Sequence, residues 1–167
     1  MPSQSKVAAA KRLGIRGVRQ ADAIETLTAA PSESRDVIVA FDVLEHLSDE
    51  DLNRFLDESH RVLKPEGRVV IHTCNAGSPF GMLMRYGDIT HRRAFTKSSI
   101  EQILRAHNFA DIRCIESAPV IHGLKSAARA MLWKVMRGFL RLWLLAELGS
   151  AQGVILTQNF LVVAFRN

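Results

Sequence analysis

Two adjacent side chains, Glu45 and His46, follow a strongly apolar run and precede a stretch of helix-forming residues. An imidazole titrates near neutrality, so a histidine in such a loop can act as a general base on a hydroxyl or amine. The pair can equally cap the loop, with Glu45 bound to a neighbour, and the residues alone leave both open. A second group, Arg85, Tyr86, Asp88, His91, Arg92 and Arg93, lies in a long irregular segment from Cys74 to Phe95. Long loops in compact domains are often binding loops. Its charges suit a phosphate or carboxylate, or simply a solvated loop. Cys74 and Cys114 are the only cysteines and neither sits in a CxxC or Cys/His ligand spacing, which argues against a zinc module. Nothing near Cys74 would activate it as a nucleophile, and it reads as a small buried hydrophobe.

The elements that must position these residues are legible from pattern. Lys6 to Leu13 is rich in helix formers and Gly14 sits where a helix stop belongs. Gly17 to Asp22 alternates weakly and reads as a short strand. Asp36 to Phe41 is apolar and β-branched without alternation, the pattern of a strand covered on both faces. Ser48 is a good N-cap, three acids load the next turn, and Leu52, Phe55, Leu56, Val62 and Leu63 repeat at helical spacing. Lys64-Pro65-Glu66-Gly67 breaks that helix, and Arg68 to Thr73 is a second buried-type strand. Thr96 caps a further helix carrying Ile100, Ile103 and Leu104. Ala110 to Ser117 and Val154 to Arg166 close the set as strands. Alternating strands and helices imply an α/β layered sheet.

Ala118 to Leu148 stands apart. On a helical wheel Leu124, Ala128, Met131, Leu132, Val135, Phe139 and Leu142 share one side, with Lys125, Arg129, Lys134, Arg137 and Arg141 on the other. This is a basic amphipathic helix, read either as a core helix with a solvated basic face or as a membrane-surface or substrate-cap element. Its uncharged runs fall well short of the ~20 residues that span a bilayer.

The 167 residues suit one domain, and 47% hydrophobic with 23% charged residues is the balance of a folded protein. The net charge of +5 permits an acidic partner, but no nucleic-acid-binding motif is present and no nucleic acid is expected. Met1 to Gly14 has no signal-peptide h-region, which points to a cytoplasmic protein, with peripheral membrane contact through 118–148 as the alternative placement.

The string Asp36-Val-Ile-Val-Ala-Phe-Asp-Val-Leu-Glu-His-Leu47 resembles the fourth strand and following loop of class I methyltransferases, especially the group with quinone-biosynthesis and related small-molecule enzymes. Leu63 to Gly67 is similar to the family's LKPGG turn, with Glu66 in place of the first glycine. Gln20 to Ala23 resembles the end of the third strand, Phe109 and Val162 to Arg166 resemble the antiparallel close of the sheet, and Tyr86 to Thr96 resembles a loop before a helix. The resemblance spans Lys6 to Ala118 and Val154 to Arg166.

That resemblance implies a Rossmann-like α/β sheet of family order 3-2-1-4-5-7-6, with an antiparallel final strand and the basic helix added as an insertion at about 118–149. It implies S-adenosylmethionine as cofactor and methyl transfer to a small-molecule or lipid-like substrate. Asp22 and the N–H of Ala23 would meet the adenine, Ala40 and Phe41 would wall the methionine part, and His46 with Glu45 would serve as catalytic base. Arg85, Tyr86, His91 and Arg92 would hold the substrate, and no metal is expected. Asp22 also reads as a turn residue bonding its local backbone, and Ala40 and Phe41 as an ordinary buried strand end.

The family's glycine-rich turn and the acid after its second strand have no counterpart here: Gly14 to Gly17 follows a helix-like stretch, and Gly77 to Gly81 lies beyond the family's fifth strand. One N-terminally incomplete methyltransferase domain over 1–167 is therefore expected, lacking the first one or two strands. Strand 36–41 would then be a sheet edge and a route to an oligomer. A non-catalytic, degenerate module that binds a partner or a membrane surface is the competing reading.

Overall fold

The computed structural model describes residues 4–167, as helix α1 (Gln4–Arg12), α2 (Ala23–Ala29), strand β1 (Arg35–Phe41), α3 (Asp49–Val62), β2 (Leu63–Cys74), α4 (Gly81–Gly87), α5 (Lys97–Ala106), β3 (Phe109–Glu116), α6 (Leu124–Leu148) and β4 (Asn159–Arg166). The sheet order is β1-β2-β4-β3, with β1 and β2 parallel and β4 antiparallel to both its neighbours. This is the 4-5-7-6 portion of the expected order.

The helices form where capping and periodicity direct them. Ser48 accepts from Asp51 N–H at 3.0 Å, and α3 then buries Leu52, Phe55, Leu56 and Val62. Thr96 caps α5 reciprocally with Ser99. The core lies between these two helices and one face of the sheet, where Leu44, Leu52, Leu56, Leu63, Ile71, Ile100, Leu104, Phe160 and Val162 are fully buried. Each such side chain contributes about 1.5–3 kcal/mol relative to exposure.

Three strand expectations are corrected. Residues 17–22 form no strand, because the chain turns at Gly17 (φ +76°) and finds no neighbour to pair with. β1 is covered on one face only: Ile38 and Ala40 point into the core, whereas Val39 and Phe41 are 59% and 55% exposed on the other side. The last strand begins at Asn159, not Val154. The side-chain amide of Asn75 donates to the carbonyls of Ile155 and Thr157 (2.8 and 2.7 Å), which takes acceptors a ladder would use.

The Lys64 to Gly67 turn is built as an excursion within β2, where Arg35 pairs with Leu63 but Val37 already pairs with Arg68. Glu66 adopts φ +62° at the position where the resemblance has glycine, a conformation unfavourable for an L-residue by about 1–2 kcal/mol. Gly67 is obligatory, since a Cβ there would lie 2.7 Å from the Lys64 carbonyl oxygen.

The facing of α6 is also corrected. Its inward stripe is Ala130, Trp133, Arg137, Leu140 and Leu144, while the wheel's apolar side, including Leu124, Met131, Leu132, Val135, Phe139 and Leu142, is exposed. Arg137, placed on the basic outer side by the wheel, is buried. It pairs with Glu116 at the end of β3 and lies 4.2 Å over the Trp133 ring. Within this otherwise apolar inward stripe, the ion pair to Glu116 ties the helix to β3, and the cation–π contact inside α6 holds the guanidinium in place for it.

Candidate functional site

The carboxyl ends of β1 and β2 carry the chemistry. After Phe41 the chain turns at Asp42 (φ +51°), whose N–H donates to the His72 carbonyl at 3.0 Å. The Asp42 carboxylate lies 2.7 Å from His72 Nδ1, and the His72 ring stacks on Phe41 with centroids 5.2 Å apart. One 3-10 turn, Leu44–His46, follows and buries Leu44 and Glu45. Glu45 Oε2 accepts from Thr73 Oγ1 at 3.1 Å and Oε1 from the Cys74 thiol at 3.7 Å. The Glu45 carbonyl accepts from Arg92 and Arg93 N–H (2.7 and 3.3 Å), which ties the loop after α4 onto this turn.

His46 stays half-exposed beside that loop. Its Nδ1 is 3.0 Å from Thr90 Oγ1, and Thr90 donates its hydroxyl proton to Asp88 at 2.6 Å. Thr90 must therefore accept from His46, so the imidazole carries its proton on Nδ1 and presents a bare Nε2. The hydrogen bonds from the Thr90 hydroxyl and backbone hold the Asp88 carboxyl below its ordinary range. His91 donates from Nδ1 to the Met84 carbonyl at 2.9 Å and likewise presents Nε2, with its ring centroid 4.7 Å from that of His46. Burial first, and the Glu45 carboxylate second, push Cys74 up to about 12. It is thus an unreactive thiol at neutral pH, as the sequence suggested.

The other expected site residues are placed as follows. Asp22 caps α2, its Oδ1 accepting from Ile24 and Glu25 N–H at 2.9 and 3.0 Å; Ala23 N–H is not among the groups it caps. Ala40 is buried at the end of β1 and Phe41 is exposed. Arg85 donates to the carbonyls of His91 and Arg92, pinning the loop, and lies over the Tyr86 ring at 4.9 Å. Arg93 reaches Leu47 O and Asp49 at 2.8 Å each, while Tyr86 and Arg92 face solvent.

Glu45, His46 and His91 are the one set among the described residues whose donor atoms gather closely enough for a metal, within 4.8 Å of one another. The Glu45 carboxylate already serves Thr73 and Cys74, so it would have to release them to coordinate. Sequence reasoning missed Asp42, His72 and Thr90, although Thr90 lies in the Tyr86 to Thr96 string. It also missed a cavity of about 430 Å³ between α6 and the sheet, walled by His72, Phe80, Trp133 and Arg137 among others.

A family model described as a methyltransferase domain matches residues 4–113. The chain belongs to this methyltransferase-domain family. Its fold is shared by solved structures of low identity. A SAM-dependent methyltransferase from Archaeoglobus fulgidus is 18% identical with a TM-score of 0.62, over 93% of this chain and 72% of that one. The YcgJ protein of Bacillus subtilis is 21% identical with a TM-score of 0.62, over 99% and 80%. The 1,6-didemethyltoxoflavin-N1-methyltransferase of Burkholderia thailandensis, solved with 1,6-didemethyltoxoflavin and S-adenosylhomocysteine, is 15% identical with a TM-score of 0.55, over 100% and 58%. No curated protein matches the chain significantly. Among the described residues no helix is long and apolar enough to cross a membrane.

Proposed function

We propose that this methyltransferase domain serves S-adenosylmethionine-dependent methyl transfer to a small-molecule or lipid-like acceptor in the cytoplasm. The observation that carries the reading is His46, held at the carboxyl end of β1 with its tautomer fixed by Thr90 and Asp88 and its Nε2 bare. A base so placed takes the proton of an acceptor O–H or N–H, and the Asp88 charge, relayed through Thr90, favours the imidazolium that forms. Glu45 holds the turn that presents it. Arg92 and Tyr86 offer a charge and an aromatic face to the acceptor, while Arg85 and His91 shape the loop beneath them.

The described residues fit the cofactor along one side. Asp22 caps α2 through Oδ1 alone, which leaves Oδ2 as an acceptor for the adenine amino group next to the N–H of Ala23. Ala40 and Phe41 end β1 as a wall with an exposed ring. Bound S-adenosylmethionine supplies a methyl group on a positively charged sulfur. Calorimetry of the chain with S-adenosylhomocysteine tests the reading. Saturable binding is expected no tighter than about millimolar, since one wall buries only part of such a ligand. Asp22→Asn keeps a helix cap but sets a donor where an acceptor is needed, and should weaken binding further. No saturation at several times that concentration, or indifference to this substitution, overturns it.

A second reading, a non-catalytic module on a partner or membrane surface, is favoured by one observation. The exposed side of α6 is apolar, with Lys125 and Arg129 along one rim and Lys134 and Arg141 along the other. No acid occurs from Ser117 to Ala146. Such a helix suits peripheral contact with an anionic bilayer. Flotation of the chain with phosphatidylglycerol vesicles checks it: Phe139→Glu should abolish the association, and its absence in the unsubstituted protein sinks the idea. Self-association through strand 36–41 is a further part of the proposal.

A further inference from the structure

The cavity between α6 and the sheet is lined by two residues that each bury a polar atom with no partner among the described residues. Arg137 is 8% exposed, and its Nη2 is spent on Glu116, but Nη1 has no hydrogen-bond partner. Asn159, at the start of β4, buries an Oδ1 that also lacks one. Both residues line the same cavity of about 430 Å³, within the ~300–1,000 Å³ range of small-molecule sites. A buried donor or acceptor left unmade is costly, and two of them on residues lining one cavity mark where a ligand can restore what folding removed.

The chemistry of the walls limits that ligand. Charge around Nη1 is positive on balance: Glu116 neutralises one guanidinium, while Arg141 is close enough that its charge also lowers the Glu116 carboxyl. His72, the other ionisable wall residue, is paired with Asp42. An acceptor carrying negative charge therefore belongs on Arg137. Asn159 Oδ1 requires an O–H or N–H. The rest of the wall includes Trp133, Met136, Leu140 and Phe80, which favour an apolar body.

We propose that this cavity binds a small hydroxy- or amino-substituted carboxylate with an apolar body, its carboxylate on the Arg137 guanidinium and its hydroxyl or amine on the Asn159 side-chain amide. Calling this ligand the methyl acceptor rests on the methyl-transfer reading; the binding site does not.

Trp133 in the cavity wall reports occupancy once the exposed Trp143 is replaced by Phe. In that protein, 3-hydroxydecanoate should change Trp133 emission saturably. Its methyl ester, which lacks the charge, should bind about tenfold more weakly, and decanoate, which lacks the hydroxyl, several-fold more weakly. Arg137→Lys retains a cation for Glu116 but removes Nη1, and should erase the preference for acid over ester. Asn159→Ala should make 3-hydroxydecanoate and decanoate bind alike, so that a docking defect in one variant does not hide the result. No saturable change up to millimolar ligand, equal affinity for acid and ester, or a preference unmoved by both substitutions would overturn the site. Titration with S-adenosylhomocysteine reads the cofactor proposal separately: carboxylate binding without cofactor binding leaves the cavity and removes the methyl-acceptor assignment.

Discussion

Thr90 has a single proton to donate, and it goes to Asp88, so the ring state of His46 is decided by a hydroxyl far away in sequence. Replacing Thr90 with Val removes the acceptor from Nδ1 and frees the imidazole to sample both tautomers. In ¹⁵N NMR spectra of the chain, His46 should show an unprotonated Nε2 in the parent and averaged nitrogens in Thr90→Val; an unchanged pair of shifts would remove Thr90 as its positioning residue. The sequence singled out Glu45 and His46 by their place directly after an apolar strand, with a base and a loop cap as the two alternatives. Thr90 and Asp88 were not assigned to them, because contact between two loops depends on how each folds back. Asp22 was legible as two alternatives, and one of them, local backbone bonding, is present as the cap of α2.

At the scale of elements, periodicity located α3, α5 and β2 well, yet it turned α6 the wrong way. A helical wheel assumes that the apolar side is the buried side. Here Arg137 and Glu116 settle the orientation, and a wheel carries no information about an acid on a different strand. One sequence signal did exist: Glu116 is the last acid before a long stretch containing only cations. Burial alone would raise the Glu116 carboxyl, but the hydrogen bonds from Arg137 and Leu156 N–H, with the charges of Arg137 and Arg141, outweigh it and hold it below its ordinary value of 4.5. A carboxyl lowered in the folded state contributes stability that is complete above its unfolded value and is lost as pH falls through its folded one. The docking of α6 should therefore weaken in acid below about pH 4.5, seen as a change in Trp133 emission before the far-ultraviolet dichroism of the sheet is lost. Glu116→Gln should remove most of that acid dependence and destabilise the domain at neutral pH by about 1–3 kcal/mol, because Arg137 stays buried without its charge partner. A parent-like acid profile in this variant would count against the ion pair as the fastener.

The molecule as a whole buries one face of its sheet and leaves much of the other open, and the two faces differ in how readable they were. Strand order followed from the sequence because the motifs after β1 and within β2 are local strings with fixed places in the family sheet. The exposure of β1 could be read only in part: an apolar run without alternation suits cover on both sides, but cover requires other elements, and Val37, Val39 and Phe41 remain 38%, 59% and 55% exposed. Among the described residues β1 is also an edge of the four-stranded sheet, with no strand paired along its outer side. An apolar face continuing to an open edge favours pairing with another strand, and a second copy of β1 presents the same complement. Light scattering should show a mass rising from monomer toward dimer as concentration increases. Val39→Lys places a charge on that face at a side chain already 59% exposed, so it should keep the fold while holding the chain monomeric, as edge lysines do in other sheets. Dimers that persist in Val39→Lys would move the contact to another surface, the exposed apolar side of α6, and there Phe139→Glu should dissolve them instead.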